Sequence, residues 1–267
     1  MARAAAHGTT PVKVFSDPTA LFLLPEEARA SVEAYLAGAA PKTRRERIRR
    51  AILEKRATMM VARTVAIDDV VRAAAAPQVV ILGAGLDGRA WRMPELRDAV
   101  VFEIDHPDTQ RDKKPRVHQL TQSAREVRFV PVDFTRDDLA ASLAGAGHDP
   151  TRPTTWIWEG VVMYLTPQEV EASLAVIERR SCAGSHLTIA YSSSAPLRWI
   201  IGLLLRRIGE PFRSSFTADA MRALLGRYGF AVVKDEDVVT VARALSLEVT
   251  GAARAMLHLR IVNAKRR

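Results

Sequence analysis

Two glycines and four acidic positions fall where short apolar runs of this chain end. Val79-Val80-Ile81-Leu82 is followed by Gly83-Ala84-Gly85-Leu86-Asp87-Gly88, a G-x-G-x-x-G pattern. Glycines at such a strand-to-helix turn let a ligand approach the backbone, and the helix that follows offers amide donors at its N-terminus. Val101-Phe102-Glu103-Ile104-Asp105 ends in carboxylates about 20 residues further on, the distance at which an acid accepts hydrogen bonds from ribose hydroxyls. Side chains alternate along a strand, so Glu103 and Asp105 share a face, and Asp105, nearer the strand end, is the better ribose ligand. The run Val130-Pro131-Val132 leads to Asp133 and Phe134; Asp133 is placed to accept the exocyclic amine of an adenine and Phe134 to pack on the base. Capping the next helix, ahead of Asp137-Asp138, is a rival role for Asp133. The fourth run, Thr155-Trp156-Ile157-Trp158, ends in Glu159, a carboxylate suited to a cationic amine. An adenine, a ribose and a zwitterionic amino-acid tail together describe S-adenosyl-L-methionine more naturally than NAD, since a pyrophosphate leaves Glu159 without a role. Arg63 would then capture the carboxylate of the tail bidentately. The complete glycine triplet keeps an NAD(P)-dependent oxidoreductase as the alternative, and a noncatalytic protein with the same fold as a third possibility.

The elements that must position these residues follow from periodicity. Residues 1–75 contain no convincing strand. Ser16-Asp17-Pro18 opens a helical pattern that Gly38 closes, a second helical region follows Pro41, and Met59 to Ala75 repeats apolar residues at helical spacing, which predicts a cap of two to four helices. From Pro77 short apolar runs alternate with helical segments: strands at about 78–83, 100–105, 128–132, 154–159 and 186–192, helices at 87–97, 107–123, 136–145 and 167–179. Such alternation predicts an α/β fold with a parallel sheet and helices on both faces. A helix at about 217–228 follows, and apolar runs at Phe230 to Asp235 and Ala255 to Val262 suggest a hairpin at the sheet edge. The division expected is a helical cap over 1–75 and a core over 76–267. Within the core, Leu197 to Ile208, apolar with interspersed Arg198, Arg206 and Arg207, suits a lid over about 194–215 better than a membrane-surface helix.

Composition excludes several classes. The net charge is +9 and the pI about 10.2, yet the arginines are spread through helical segments, and the clusters at Arg44 to Arg50 and Lys265-Arg266-Arg267 lack interleaved aromatics. Single-strand binding grooves stack bases on aromatics, so a nucleic-acid partner is not expected and solvated basic faces are. The single Cys182 permits no internal disulfide, and the six histidines show no metal-ligand spacing. No apolar run approaches the roughly 20 residues of a membrane span, and no secretory signal opens the chain, which predicts a cytoplasmic protein without a transmembrane segment.

Ala62-Arg63-Thr64 with Ile67-Asp68-Asp69, Gln78 through Arg92 (QVVILGAGLDGRAWR), Phe102-Glu103-Ile104-Asp105-His106-Pro107, Val130-Pro131-Val132-Asp133 and Glu159-Gly160-Val161-Val162-Met163-Tyr164-Leu165 together resemble the leucine carboxyl methyltransferase-like family. These are class I S-adenosylmethionine-dependent methyltransferases, with many actinobacterial members. The resemblance is strong over about residues 60–180. It implies a Rossmann-like seven-stranded, mostly parallel sheet with a reversed last strand, preceded by an N-terminal helical cap. Carried over by position, it implies Arg63 at the methionine carboxylate, Gly83 and Gly85 at the cofactor turn, Asp105 at the ribose, Asp133 and Phe134 at the adenine, and Glu159 at the methionine moiety. One departure stands out: the family commonly has threonine where this chain has Gly88.

The chemistry expected is O-methylation of a small molecule or peptide. Methyl transfer from a sulfonium is an in-line displacement governed by approach and alignment, and a carboxylate acceptor needs no base at neutral pH. A hydroxyl acceptor would want one, for which His106 and Tyr164 are the candidates. Arg89 and Arg92, a helical turn apart, are expected to pair with nearby acids. An N-P-P-Y-like turn, the mark of base N-methylation, is absent after Glu159.

Overall fold

Burial on both faces explains why the runs after Pro77 are almost continuously apolar. The computed structural model describes residues 1–134, 136–193, 213–249 and 258–267. Its sheet is built from β1 (Gln78–Leu82), β2 (Val100–Asp105), β3 (Glu126–Pro131), β4 (Thr154–Glu159), β5 (His186–Ser192), β6 (Phe230–Asp237) and β7 (Leu259–Arg266). The order is β3-β2-β1-β4-β5-β7-β6. The first five strands pair in parallel, and β7 runs antiparallel to both its neighbours. The expected Rossmann-like, mostly parallel seven-stranded sheet with a reversed strand is therefore the fold of this chain.

Alternation sorts the strand residues into two cores. Val79, Ile81, Val101 and Ile157 face one side, and Val80, Leu82, Phe102, Trp156 and Trp158 face the other. The first side is covered by α3 (Arg44–Ala74), whose Met59, Ala62, Val65 and Ile67 share its core. Residues 1–75 thus pack into the same hydrophobic core as the sheet. The second side is covered by α7 (Pro167–Arg179) and α8 (Ala218–Arg227). The remaining helices among the described residues are α1 (Ala2–Ala6), α2 (Glu26–Leu36), α4 (Arg89–Arg92), α5 (Pro107–Val117), α6 (Leu139–Gly145) and α9 (Val238–Ala244).

The differences from the sequence expectation have local causes. The two helical regions after Pro41 are one helix of 31 residues, started by a capping box in which Thr43 and Glu46 satisfy each other's backbone amides. The pattern through 16–38 is broken by Pro25, so that turns precede α2. The helix expected over 87–97 stops at Arg92 and resumes as a 3-10 turn at Pro94–Leu96, because proline cannot continue the α-helical ladder. β7 lies later in the chain than the run at 255–262 suggested, and α9 was not anticipated. Of the lid expected over 194–215, residues 194–212 lie outside the described residues. Ser214 is described: it is buried, and its hydroxyl donates to the Val162 carbonyl at 2.8 Å.

One buried polar cluster ties the sheet's far end. His148 is 3% exposed and sits between the rings of Phe102 and Trp156. Its Nδ1 accepts from Arg180 Nε at 3.2 Å, which leaves Nε2 to donate to Thr154 Oγ1 at 3.1 Å. Burial, then the Arg180 charge, pushes the imidazole down to about 4. A histidine held neutral in the fold loses stability as the unfolded chain takes up the proton, so the loss begins near pH 6.5 and is complete below about pH 4. We expect the unfolding free energy read from urea denaturation to fall over that window by about 2 kcal/mol after allowing for solvent screening, and His148→Gln to flatten the fall.

Candidate cofactor-binding site

Strand order reverses between β1 and β4, and open α/β sheets bind ligands at the carboxyl ends of the strands flanking such a switch. A cavity of about 330 Å³ lies there, lined chiefly by the β1 turn, Arg3, Arg63, Glu159, Met163 and Tyr164. That volume is within the range of small-molecule sites, roughly 300–1,000 Å³. Parallel register sets the rim: Leu82 pairs with Trp158 of β4 and with Ile104 of β2, so Gly83, Asp105 and Glu159 all follow at one edge.

A left-handed backbone calls for two of the glycines, and close approach adds to it at the first. Gly83 has φ +67°, donates its N–H to the Ile104 carbonyl at 2.8 Å, and a Cβ there would meet Val161 Cγ2 at 2.2 Å. Gly85 has φ +48° and its N–H donates to the Asp105 carboxylate, whose other oxygen accepts from the His106 N–H at 2.7 Å. The third glycine has a different reason. Gly88 has negative φ, and a Cβ on it would lie 1.9 Å from Thr19 Oγ1. It makes room for the N-terminal segment, where a dinucleotide-binding loop would use it for close packing of helix on strand.

Charge organises the rest of the site. Glu159 is bracketed by Arg63 Nη2 at 2.6 Å and Arg89 Nη1 at 2.9 Å. Arg89 is fully buried and also pairs with Asp68 at 2.8 Å and with Asp87. Arg92 continues the network from Asp68 at 2.7 Å to Asp17 at 3.7 Å, and Asp17 meets Arg3 at 3.3 Å. Burial alone would raise the carboxyl of Glu159, but Arg63, Arg89 and Arg3 outweigh it and hold it well below the usual range. Asp87 is lowered too, burial being overcome chiefly by Arg89. Burial opposes the charge of Arg89, yet its three carboxylates raise its pKa well above the ordinary value.

The predicted residues divide into two groups. Arg63, Gly83, Gly85, Glu159 and Tyr164 line the cavity. Asp105, Asp133, Phe134 and His106 follow β2 and β3 outside its lining. His106 caps α5, its Nδ1 accepting from the Asp108 N–H at 3.3 Å. Asp133 does not cap α6: Asp138 does, accepting from the N–H groups of Ala140 and Ala141, while the Asp133 N–H donates to Asp137 at 2.8 Å. Phe134 packs against the second core. Glu103, the alternative ribose ligand, is instead buried and bound by Lys113 Nζ at 2.7 and 2.8 Å. Burial, opposed by Lys113, pushes its carboxyl up to about 7. Arg3 escaped the sequence reasoning because nothing in a run of alanines marks it; only the fold brings its guanidinium to the Leu86 carbonyl at 2.5 Å. Arg89 and Arg92 pair with acids, as their spacing suggested.

Solved structures share the fold of this chain. A DUF574 family protein from Streptomyces avermitilis superposes with a TM-score of 0.61 at 13% identity, covering 94% of this chain and 97% of that one. Magnesium protoporphyrin IX methyltransferase from Synechocystis PCC 6803, solved with bound SAH, gives 0.53 at 11% identity over 91% and 95%. The fold is that of the Rossmann-like methyltransferases. Residues 1–178 match the profile described as leucine carboxyl methyltransferase, and the chain belongs to that family. A relative from Mycolicibacterium gilvum, named as an S-adenosyl-L-methionine-dependent methyltransferase, is 36% identical over 205 residues, 75% of this chain and 64% of its own length. A Frankia alni relative with the same description is 41% identical over 135 residues, 49% and 47% of the two chains. The chain thus matches about half to two-thirds of the length of these relatives.

Three substitutions test the packing of the site. Gly88→Thr is expected to cost about 2 kcal/mol through overpacking against Thr19, and adding Thr19→Ala to restore most of it; a thermal-melt double-mutant cycle reads the coupling. Arg89→Met leaves three buried carboxylates without their shared partner and is expected to cost about 3–5 kcal/mol, read by urea denaturation.

Proposed function

We propose that this protein is an S-adenosyl-L-methionine-dependent O-methyltransferase acting on a carboxylate or hydroxyl of a small molecule or peptide. The observation that carries the cofactor assignment is Glu159, a buried carboxylate on the cavity wall whose Oε1 lies 2.6 Å from Arg63 Nη2 yet accepts no hydrogen bond of good geometry among the described residues. An ammonium group is its natural partner. Arg63 and Arg3, on the same wall, suit the adjoining carboxylate of an amino-acid tail. Gly83 and Gly85 leave backbone accessible at the turn, Asp105 takes the ribose, and Asp133 with Phe134 takes the adenine. Residues 1–75 act as a cap by bringing Arg3 and Arg63 to the cleft, and 76–267 as the methyltransferase core.

When bound, the cofactor supplies a methyl group on a sulfonium, open to in-line attack. What the chain contributes is alignment and a fixed field. Asp87 and Glu159 are held ionised by arginines, so neither takes a proton readily near neutral pH. Tyr164 is the other cavity residue with an ionisable acid group, and His106 is engaged as a helix cap. A site so short of bases favours an acceptor already ionised, and a carboxylic acid of pKa about 4 is one. A hydroxyl acceptor would rely on Tyr164 as the proton acceptor.

Calorimetry with S-adenosylhomocysteine is expected to show binding, and NADH none under the same conditions. Asp105→Ala and Glu159→Ala should each weaken it at least about 10-fold, the loss of a charge-assisted hydrogen bond; unchanged affinity in both would remove the site assignment. With labelled cofactor and a panel of acids and alcohols, a methyl ester releases methanol in alkali and a methyl ether does not. Turnover flat between pH 6 and 8 accompanies the ester, whereas a tenfold rise per pH unit would point to a base and a hydroxyl acceptor.

A further inference from the structure

The N-terminal part of α3, residues 44–56, is about 20 Å long and contains no buried residue. One side of it is occupied. Arg50 stacks over the Tyr35 ring of α2 at 5.0 Å, pairs with Glu54 at 3.1 Å and donates to the Ala39 carbonyl, while Leu53 packs beneath. Helical spacing of 100° per residue gathers Arg44, Arg45, Ile48, Arg49, Ile52, Lys55 and Arg56 into an arc of about 140° on the other side. Both isoleucines are exposed, Ile48 at 52% and Ile52 at 45%. Neither acid of this segment falls in the arc: Glu46 closes the capping box and Glu54 pairs with Arg50. Among the described residues, none of the five cations in the arc forms an ion pair.

An ordinary solvated helix face mixes signs and pairs them at i,i+4. Here two β-branched hydrophobes at i,i+4 are surrounded by cations only. We propose that this face docks the protein on an anionic lipid bilayer, with Ile48 and Ile52 entering the headgroup boundary and the arginines on lipid phosphates. Charge complementarity calls for an anionic partner. The central isoleucines select a bilayer among anionic partners, because interfacial helices combine apolar insertion with attraction to anionic lipid. Nucleic acid offers no place for them, and residues 44–56 contain no aromatic on which a base could stack. The same helix carries Arg63 to the cofactor cleft, about 16 Å along the axis from Ile52, so docking would bring the cleft to the membrane surface.

Flotation of the full chain with extruded vesicles tests this. Vesicles of equimolar phosphatidylcholine and phosphatidylglycerol are expected to carry the protein, and pure phosphatidylcholine at least about 10-fold less, with the difference shrinking at about 0.5 M salt. Arg44→Glu/Arg45→Glu/Arg49→Glu should weaken anionic binding by about 100-fold or more, and acids in the first turns are compatible with the helix dipole. Ile48→Ser/Ile52→Ser should weaken it several-fold. Failure of the unaltered protein to float with anionic vesicles overturns the proposal, as does binding that both variants retain. Loss with the charge reversal alone would mean adsorption without insertion and overturns it too. A short DNA duplex bound while vesicles are not would assign the face to nucleic acid.

Discussion

The Arg89 guanidinium, with no exposure to solvent, is the interaction on which the cleft depends. It meets Asp68 of the long helix, Asp87 of the glycine turn and Glu159 at the end of β4. Those three carboxylates come from three separate parts of the chain, and their mutual repulsion at this spacing is tolerable only around a shared cation. A buried charge cluster of this kind is weak evidence of net stability, since desolvation offsets most of the Coulomb gain. Its effect is geometric. With Arg89 in place Glu159 is both ionised and aimed, one oxygen toward Arg89 and the other toward Arg63 and the cavity.

Close packing supports the same geometry without charge. Val161 fills the space where a side chain on Gly83 would project, and Thr19 does so at Gly88. The turn after β1 is therefore held between the loop after β4, which crowds Gly83, and the N-terminal segment, which crowds Gly88, while Gly83 and Gly85 both take the left-handed backbone that favours glycine. The third glycine illustrates how a motif misleads. It completes a dinucleotide pattern in the sequence, but its neighbour in space is a threonine, and the family's usual threonine at this position has no room beside Thr19. The match to the leucine carboxyl methyltransferase family, over residues 1–178, spans each described residue that lines the cavity.

The long helix α3 joins two environments. Its C-terminal half supplies Met59, Ala62 and Val65 to the core and Arg63 to the cavity, while residues 44–56 stand out in solvent with a face of one sign. Such a division explains its low overall amphipathicity: the buried stripe and the basic face belong to different halves. Among the described residues no helix is long and apolar enough to cross a membrane.

Local patterning by itself determined most of the strands, β7 excepted. β2, β4, β5 and α7 begin and end where the alternation of apolar runs and helical segments places them, because those signals act over a few residues and the sheet's burial demands them. The turn glycines and the acids at strand ends were legible for the same reason: strand ends of a parallel sheet must converge on one edge. Tertiary structure alone decided which partner each polar group takes. Glu103 and Asp105 share a strand face, yet one is buried on Lys113 and the other reaches the Gly85 amide. Asp133 and Asp138 differ by five positions, and the cap fell to the second. Arg3 lies 60 residues from Arg63 and 156 from Glu159 in the sequence but shares their wall. Long-range charge pairing depends on distances that no local period encodes, and it was settled only when the N-terminal segment, α3 and the sheet packed together.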